Sequence, residues 1–181
     1  MIYFTSDLHF CHDRAFMFEP RGFTNIDDHD KTIIENWNKT ITDEDEVYVL
    51  GDLMLNDNEK GMSYLRQLKG KLHIILGNHD TPRRAALYAT LPNVVEVVHA
   101  AQIIYKGKIF YLSHYPTITS AGEAQKDPGK IVYSLFGHTH QQTNFYNDSY
   151  FIYHVGLDSH NNYPVSIEQV IEDCHNKFNN K

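Results

Sequence analysis

The sequence predicts an α/β fold for this chain of 181 residues. Short apolar runs of about four to eight residues, typical of buried strands, alternate with segments of helical periodicity in the first half of the chain. The second half consists mainly of strand-like runs and closes on a helix. Polar side chains directly follow five of these strands, and ligand sites in α/β sheets lie at the carboxyl ends of the strands. The same pattern therefore predicts both the fold class and the place of a binding site.

The first half of the chain reads as strands separated by helices. Met1–Ser6 contains the apolar run "IYF" and predicts the first strand, after which a loop rich in aromatic residues and arginine begins. From Asp27 to about Ile41, apolar side chains recur at helical spacing. The remaining elements are a strand in "EVYVLGD", a helix near "MSYLRQL" that ends at Gly70, a strand in "KLHIILGNHD" and a helix in "PRRAALYATL" with proline in its first turn.

The second half is predicted to contain strands followed by one helix. Strands lie in "VVEVVHA", "QIIYKGKIFYLSH", "KIVYSLFGHTH" and "YFIYHVGLD", and Lys106–Lys108 marks a tight hairpin turn. The segment "YPTITSAGEAQKDPGK" is a polar loop. The closing helix, "VSIEQVIEDCHNKF", has Ser166 as its N-cap and Gln169 as the second residue of a capping box. Because no repeat or linker divides the sequence, residues 1–181 are expected to form a single domain.

Composition and charge exclude several classes of protein. A hydrophobic content of 41% and a charged content of 22% are those of a soluble globular protein, and no apolar run approaches the roughly 20 residues of a membrane span. Cys11 and Cys174 are too few for a disulfide framework, and no signal peptide is evident, so a cytoplasmic protein is expected. The net charge of −7 argues against long duplex nucleic acid as a partner. A small anionic substrate is compatible with this net charge, because bound cations can dominate the electric field in a site.

Side chains that can bind metal follow the predicted strands. His138 and His140 end the stretch "FGHTH", and they point the same way if the strand continues through them. The seven candidate ligands are Asp7, His9, Asp52, Asn78, His114, His138 and His140. This nitrogen and oxygen set suits Mn²⁺, Fe or Zn²⁺ better than Ca²⁺ or Mg²⁺ alone. Seven ligands exceed what one metal with open positions uses, and they fit two metals that share an aspartate.

The order of these residues resembles the calcineurin-like metallophosphoesterases. The five motifs of that family stand here as "DLH" at Asp7–His9, "GD" at Gly51–Asp52, "GNHD" at Gly77–Asp80, "SHYP" around His114 and "GHTH" at Gly137–His140. The segment "HVGLDSHNNYPVSIEQV" is also similar to the closing strand and helix of small bacterial and phage-type members. The resemblance implies a four-layer αββα fold, in which two mixed β-sheets pack as a sandwich flanked by helices.

The resemblance also implies a role for each matched residue. The ligands of one metal would be Asp7, His9, Asp52 and His140, and those of the other Asp52, Asn78, His114 and His138. Two divalent transition-metal ions are expected, with Mn²⁺ first and Fe, Zn²⁺, Ni²⁺ or Co²⁺ as alternatives. A hydroxide that bridges them would attack phosphorus in line. His79 would donate a proton or a hydrogen bond to the leaving oxygen, and Asp80 would orient the ring of His79.

Residues outside the motifs leave alternatives open. His12, Arg14 and Arg21 are candidates for substrate binding, with a solvated histidine and surface charges as the alternative readings. Cys11 stands where similar sequences have glycine, and a small buried apolar role is favoured over a thiolate ligand. His154 is a further candidate to approach the site. The remaining histidines are expected to be structural or solvated: His29, His73, His99, His160 and His175.

The predicted function is hydrolysis of a small phosphate mono- or diester, without a membrane partner. A protein serine/threonine phosphatase is disfavoured, because that family continues its Gly-Asp as "GDxVDRG" and this chain has "GDLMLND". A non-catalytic scaffold on the same fold is an alternative, against which the intact Asn78-His79 pair argues. A nuclease would use a cap domain or a basic surface, although a small or single-stranded diester stays open. The sequence leaves monoester, diester and pyrophosphate substrates open, as it does the oligomeric state.

Overall fold

Two mixed β-sheets form the framework of the protein in this computed structural model, which describes residues 1–180 apart from the side chains of residues 123 and 124. The strands are β1 (Ile2–Thr5), β2 (Glu46–Leu50), β3 (Lys71–Ile75), β4 (Val94–Val98), β5 (Ala100–Tyr105), β6 (Lys108–Ser113), β7 (Val132–Phe136), β8 (Ile152–His154) and β9 (Val165–Ser166). The first sheet has the order β4-β3-β2-β1-β9, with β9 antiparallel to β1 and the other pairs parallel. The second has the order β5-β6-β7-β8, with only β5 antiparallel to its neighbour. Two mixed sheets with helices confirm the predicted fold class.

Five α-helices accompany the sheets within the described range: α1 (Ala15–Phe18), α2 (Ile26–Thr40), α3 (Asn58–Leu65), α4 (Pro82–Tyr88) and α5 (Ile167–Asn179). Ser166 is the N-cap of α5 as predicted, because its Oγ accepts the backbone N–H of Gln169 at 3.2 Å. The Gln169 side chain donates instead to Asp173 at 2.8 Å, so the return bond of a capping box is replaced. None of the helices in residues 1–180 is long and apolar enough to cross a membrane.

Two apolar clusters lie on opposite faces of the first sheet. The cluster between the sheets includes Phe4, Leu50, Phe110, Leu135 and, from α5, Val170. The cluster on the other face joins the sheet to α2, α3 and α4 through Val49, Ile74, Ile33, Trp37, Leu65 and Tyr88. Burial of each large apolar side chain contributes about 1.5–3 kcal/mol. These clusters therefore hold the strands and helices together, and the carboxyl ends of the strands position the site.

The backbone after β7 differs from the simple strand extension considered for "FGHTH". β7 ends at Phe136, and His138 and His140 have φ angles of 66° and 48°. These values lie in the left-handed region, so both histidines stand on tight turns and not on alternating strand positions. Cys11 also has a positive φ, of 65°. Glycine in similar sequences fits this position, because a residue without Cβ adopts the conformation without steric cost.

The buried side chain of His154 predicts a dependence of stability on pH. Its Nδ1 lies 2.8 Å from Ser159 Oγ, and its Nε2 has no hydrogen-bond partner among the described residues. Burial lowers the pKa of His154 to about 4, whereas histidine in an unfolded chain titrates near about 6.5. The unfolded chain therefore takes up the proton first. The stability contributed by the neutral ring is present above the unfolded value and is lost as the pH falls towards the folded value.

We expect His154→Gln to show a smaller loss of unfolding free energy than the wild type as the pH falls from about 7 to about 4, by about 3 kcal/mol. Urea unfolding at a series of pH values measures this loss. The exposed His175 offers a control, since His175→Gln should keep the wild-type pH dependence. An identical decline in His154→Gln and wild type would contradict the assignment.

Candidate metal centre

Side chains from both sheets meet in a cleft at the carboxyl ends of the strands. The cleft has a volume of about 400 Å³. Its lining residues are His9, His12, Phe16, Met17, Asp52, Asn78, His79, His138 and His140. Asp7 and His114 lie directly behind this lining and are almost completely buried. The structure thus brings together all seven candidate ligands.

Asp7, His9 and His140 form one half of the donor cluster. The Nε2 atoms of His9 and His140 lie 3.2 Å apart, and Asp7 Oδ1 lies 3.7 Å from the first and 3.6 Å from the second. Asp7 Oδ2 accepts hydrogen bonds from Ser6 Oγ and from the backbone N–H of His138. Oδ1 has no hydrogen-bond partner within residues 1–180. The carboxylate is therefore held by one oxygen while the other faces the imidazole nitrogens.

Asn78, His114 and His138 form the other half. Asn78 Oδ1 lies 2.8 Å from His114 Nε2 and 2.9 Å from His138 Nδ1. The Nδ1 atom of His114 lies 2.8 Å from the backbone carbonyl of Leu50. Because a carbonyl oxygen only accepts, Nδ1 donates this bond, and in the neutral ring Nε2 presents its lone pair to the cluster. This is the orientation of a histidine ligand whose second nitrogen is anchored by the protein.

Asp52 links the two halves. Its Oδ2 atom lies 3.7 Å from His9 Nε2 and 3.5 Å from His114 Nε2. Burial raises the pKa of Asp52, and the nearby Asp7 carboxylate adds to the rise although His114 opposes it. A cation between these groups would remove the repulsion between the two carboxylates and favour the ionised form.

The donor atoms fit a metal. In the described part of the chain, two groups of three side chains have ligand atoms within 4.8 Å of one another: Asp7, His9 and His140, and Asp7, Asp52 and His114. Nitrogen atoms bound to one ion at about 2.0–2.1 Å lie roughly 3 Å apart, which matches the two Nε2 atoms at 3.2 Å. Burial lowers the pKa of His9 to about 3, so the ring is neutral, as ligation requires. Burial acts to raise the pKa of Asp7, but the neighbouring imidazoles outweigh it and lower the pKa.

The sequence model of the calcineurin-like phosphoesterase superfamily domain matches residues 1–164. The chain belongs to this family. The family is metal-dependent, in agreement with the clustered aspartate and histidine side chains. The five motifs of the sequence, read as a resemblance, therefore identify the family correctly.

Two relatives and two solved structures show how far the likeness of this calcineurin-like phosphoesterase extends. It is 43% identical over 81 residues to the uncharacterized protein MJ1445 of Methanocaldococcus jannaschii, a match that covers 44% of the chain and only 46%, about half, of that protein. It is 28% identical to the gene 66 protein of Mycobacterium phage D29, with 95% of the chain and 96% of the relative covered. This match fits the predicted likeness to small phage-type members.

Both solved structures share the fold. The protein of unknown function AQ665 from Aquifex aeolicus superposes with a TM-score of 0.69 at 24% identity, covering 95% of this chain and 98% of that one. A novel archaeal phosphodiesterase superposes with a TM-score of 0.50 at 17% identity, covering 86% and 82%. At these identities, the likeness concerns the architecture of the two sheets.

In the phosphoesterase, the His79 side chain faces the cleft, whereas the Asp80 side chain is buried beneath it. The backbone N–H of His79 donates to Asp52 Oδ1 at 2.9 Å, and its side chain, 42% exposed, lines the cleft. Asp80 is buried and accepts the backbone N–H groups of Asp52 and Gly77 at 2.7 and 2.9 Å and the hydroxyl of Tyr88 at 2.7 Å. The Asp80 carboxylate therefore binds these three groups instead of the His79 ring, which it was expected to orient. Asp80 fixes the two turns that present Asp52 and Asn78.

Two glycines allow the strand ends to approach each other. Gly51 has a φ angle of 92°, and a Cβ atom there would lie 2.5 Å from Nδ1 of His114. A Cβ atom at Gly137 would lie 2.5 Å from Asp7 Oδ2. Both distances are shorter than non-bonded contacts permit, so any side chain at either position would displace a candidate ligand.

A buried ion pair between Arg21 and Asp158 supports His140 from behind. Arg21 Nε and Nη2 donate to the two Asp158 oxygens at 3.0 and 2.8 Å, and Asp158 Oδ2 lies 3.1 Å from His140 Nδ1. Burial acts to raise the pKa of Asp158, but His140 and Arg21 outweigh it and lower the pKa. The Arg21 side chain has no exposed surface and also donates to the backbone carbonyl of Asp7. This placement contradicts the expectation that Arg21 binds a substrate phosphate.

Asp158 is not among the site residues predicted from the sequence, although one signal points to it. Asp158 follows β8 closely, as the candidate ligands follow their own strands. A carboxylate that accepts from Nδ1 of a histidine ligand fixes its tautomer and ring orientation.

We expect Asp158→Asn to lower metal affinity by about 10–100-fold, because the carboxylate no longer orients His140. The same change leaves the Arg21 guanidinium buried and unpaired, so we expect the free energy of unfolding to fall by about 3–5 kcal/mol. Metal titration and urea unfolding measure the two effects. Glu35→Gln removes the exposed pair with Lys31 and should change stability by less than about 0.5 kcal/mol. A stable Asp158→Asn protein with wild-type affinity would contradict this role.

The remaining candidates stand in different environments. The His12 ring lines the cleft, 5.2 Å from that of His9, and Arg14 is exposed, with a guanidinium that forms no hydrogen bond to the described residues; substrate binding by either stays a prediction. Cys11 is buried, and burial raises its pKa to about 12, which favours the apolar role. His154 is buried outside the cleft lining. Of the other histidines, His29, His73 and His160 form hydrogen bonds within the fold, and His99 and His175 are exposed.

Proposed function

We propose that this phosphoesterase uses two divalent transition-metal ions to hydrolyse phosphate mono- or diesters. The observation that carries the proposal is the position of Asp52 Oδ2, between His9 Nε2 at 3.7 Å and His114 Nε2 at 3.5 Å. A carboxylate oxygen between two sets of nitrogen donors suits a ligand shared by two cations. The remaining ligands would be Asp7, His9 and His140 for one ion and Asn78, His114 and His138 for the other. Mn²⁺ is the expected metal, with Fe, Zn²⁺, Ni²⁺ or Co²⁺ as alternatives.

The chain's own residues supply the remaining chemistry. When bound, the two ions supply Lewis acidity that activates water and neutralises the phosphoryl oxygens. His79 lies at the cleft surface with its backbone held by Asp52, and its ring Nε2 is 3.9 Å from Asp52 Oδ2. A partly exposed imidazole at this place can reach the leaving oxygen of an ester and give it a proton. Asp80 and Asp158 hold the turns and rings in place.

Two observations favour this function over the alternatives. Asn56 stands where the "GDxVDRG" pattern of a protein serine/threonine phosphatase has its arginine, and its Nδ2 donates to the backbone carbonyl of Cys11 at 2.9 Å, so this segment offers no cation to a phosphate. The donor atoms all face one cleft, which a non-catalytic scaffold does not require. The similar archaeal protein described as a phosphodiesterase adds support for a diester substrate.

The proposal is tested by metal-dependent hydrolysis. Protein stripped with a chelator is loaded in turn with Mn²⁺, Co²⁺, Ni²⁺, Zn²⁺ or Ca²⁺ and assayed against nitrophenyl phosphate mono- and diesters, nucleoside triphosphates and cyclic nucleotides. We expect hydrolysis with the imidazole-binding metals to exceed that with Ca²⁺ by about tenfold or more. Hydrolysis of none of these esters with any metal would overturn the proposal.

A further inference from the structure

Two exposed aromatic side chains border the cleft beside different halves of the donor cluster. The Phe16 side chain is 69% exposed, and its ring stands perpendicular to that of His12 at 5.7 Å between centroids. Tyr115 is 50% exposed, and its ring centroid lies 4.7 Å from that of His138 and 5.1 Å from that of His114. The half that contains His9 therefore has Phe16 beside it, and the other half has Tyr115.

The fold does not account for the exposure of these rings. Within the described part of the chain, three aromatic side chains are exposed, Phe16, Tyr115 and Tyr163. Phe16 lines the cleft, and the Tyr115 ring contacts His138 of the cleft lining. Helix α1 buries Met17 and Phe18, so it is anchored without Phe16. The hydroxyl of Tyr115 forms no hydrogen bond with the residues that the structure describes. Single exposed apolar residues are ordinary, but two ring faces beside one cleft form a surface on which a planar group can stack.

We propose that Phe16 and Tyr115 select phosphate esters that carry a planar aromatic group, either a nucleobase or an aryl ring, over alkyl esters of similar size. This inference rests on the proposed function and names its substrate class. Aromatic side chains stack on nucleobases without regard to sequence, because every base has a π-face. The cleft of about 400 Å³ has the size of a small-molecule site. The net charge of −7 disfavours a long polyanion, so a single nucleotide or aryl ester is the fitting ligand.

The test uses four diesters that share one leaving group, 4-nitrophenol, and differ in the second ester group. These groups are thymidine 5′-yl, phenyl, cyclohexyl and methyl. Because the leaving group is constant, differences in kcat/KM report how the second group is bound. Phenyl against cyclohexyl separates stacking from apolar contact, and thymidine against phenyl separates a nucleoside from a simple aryl group. The metal-loaded wild type is compared with Phe16→Ala, Tyr115→Ala, Tyr115→Phe and the control Ile104→Ala, whose side chain is 69% exposed on β5.

We expect the wild type to prefer phenyl over cyclohexyl and thymidine over methyl. Phe16→Ala and Tyr115→Ala should each reduce these preferences by about tenfold, Tyr115→Phe should retain them because the ring remains, and Ile104→Ala should leave activity unchanged. Preferences that are absent in the wild type, or unaltered in both alanine variants, would overturn the inference while leaving phosphoester hydrolysis intact. Hydrolysis of none of the four diesters would overturn this inference, and the proposed function falls with it only if the phosphate monoesters and nucleotides of the wider panel are not hydrolysed either.

Discussion

Replacing Asp52 by asparagine is expected to reduce kcat/KM for a phosphate diester by about 10³-fold or more, which corresponds to several kcal/mol of lost stabilisation of transition-state charge. Asparagine has nearly the same shape as aspartate. In the wild type, Asp52 Oδ1 accepts the backbone N–H of His79 at 2.9 Å, and the asparagine carbonyl can still accept this bond. The turn should therefore persist. The substitution removes the negative charge of the carboxylate. Its Oδ2 atom lies between His9 and His114, where it would bind both ions.

Metal content and activity should fall together in this variant. Elemental analysis after gel filtration measures the first, and steady-state hydrolysis measures the second. Asp45→Asn is the matched control, because Asp45 is also a buried carboxylate but pairs with the N-terminal amino group away from the cleft. It should keep metal and activity. Full metal content and full activity in Asp52→Asn would contradict the bridging role.

Replacing His79 by asparagine is expected to lower kcat for an alkyl or nucleoside ester by about 10²–10⁴-fold, which is the usual effect of losing a general acid. Metal content should stay at the wild-type level. The His79 ring faces the cleft and is 42% exposed, with Nε2 3.9 Å from the nearest Asp52 oxygen. The proposed ligands, by contrast, contact each other at closer range. The ring is therefore available to donate a proton to the leaving group.

The dependence on leaving group distinguishes proton donation from simple charge stabilisation. The loss in His79→Asn should be small for nitrophenyl esters, which leave as stable anions, and large for alkyl or nucleoside esters, which need a proton. The exposed His175 provides the control His175→Asn, with no expected change. Loss of a metal equivalent, or equal loss for both kinds of ester, would show that His79 does not act as the proton donor.

The parts of the site that the sequence predicted depend on local patterns. Strand ends are visible in the sequence, because buried apolar runs stop where the polar motifs begin, and Asp7, Asp52 and Asn78 follow such runs directly. The parallel sheet then brings these ends together whatever the details of the turns. The same reasoning placed the N-cap of α5 at Ser166, since a cap depends on a bond between residues three apart.

The parts that sequence reasoning missed depend on the exact turn or on contacts between distant residues. Arg21 and Asp158 lie 137 positions apart and pair only in the folded chain, so an arginine expected to face the substrate is buried behind His140. Asp80 is adjacent to His79, yet the turn directs its carboxylate to the backbone N–H of Asp52. His138 and His140 reach the cleft through left-handed turns, which an alternating strand pattern does not predict.

The most direct measurement of the central claim is the anomalous scattering of a crystal grown with Mn²⁺. Two anomalous difference peaks per chain are predicted, one contacted by the side chains of Asp7, His9 and His140 and the other by those of Asn78, His114 and His138. The Asp52 carboxylate should contact both peaks. A single peak, or peaks outside this cluster at saturating Mn²⁺, would contradict the proposal that Asp52 is shared by two metal ions.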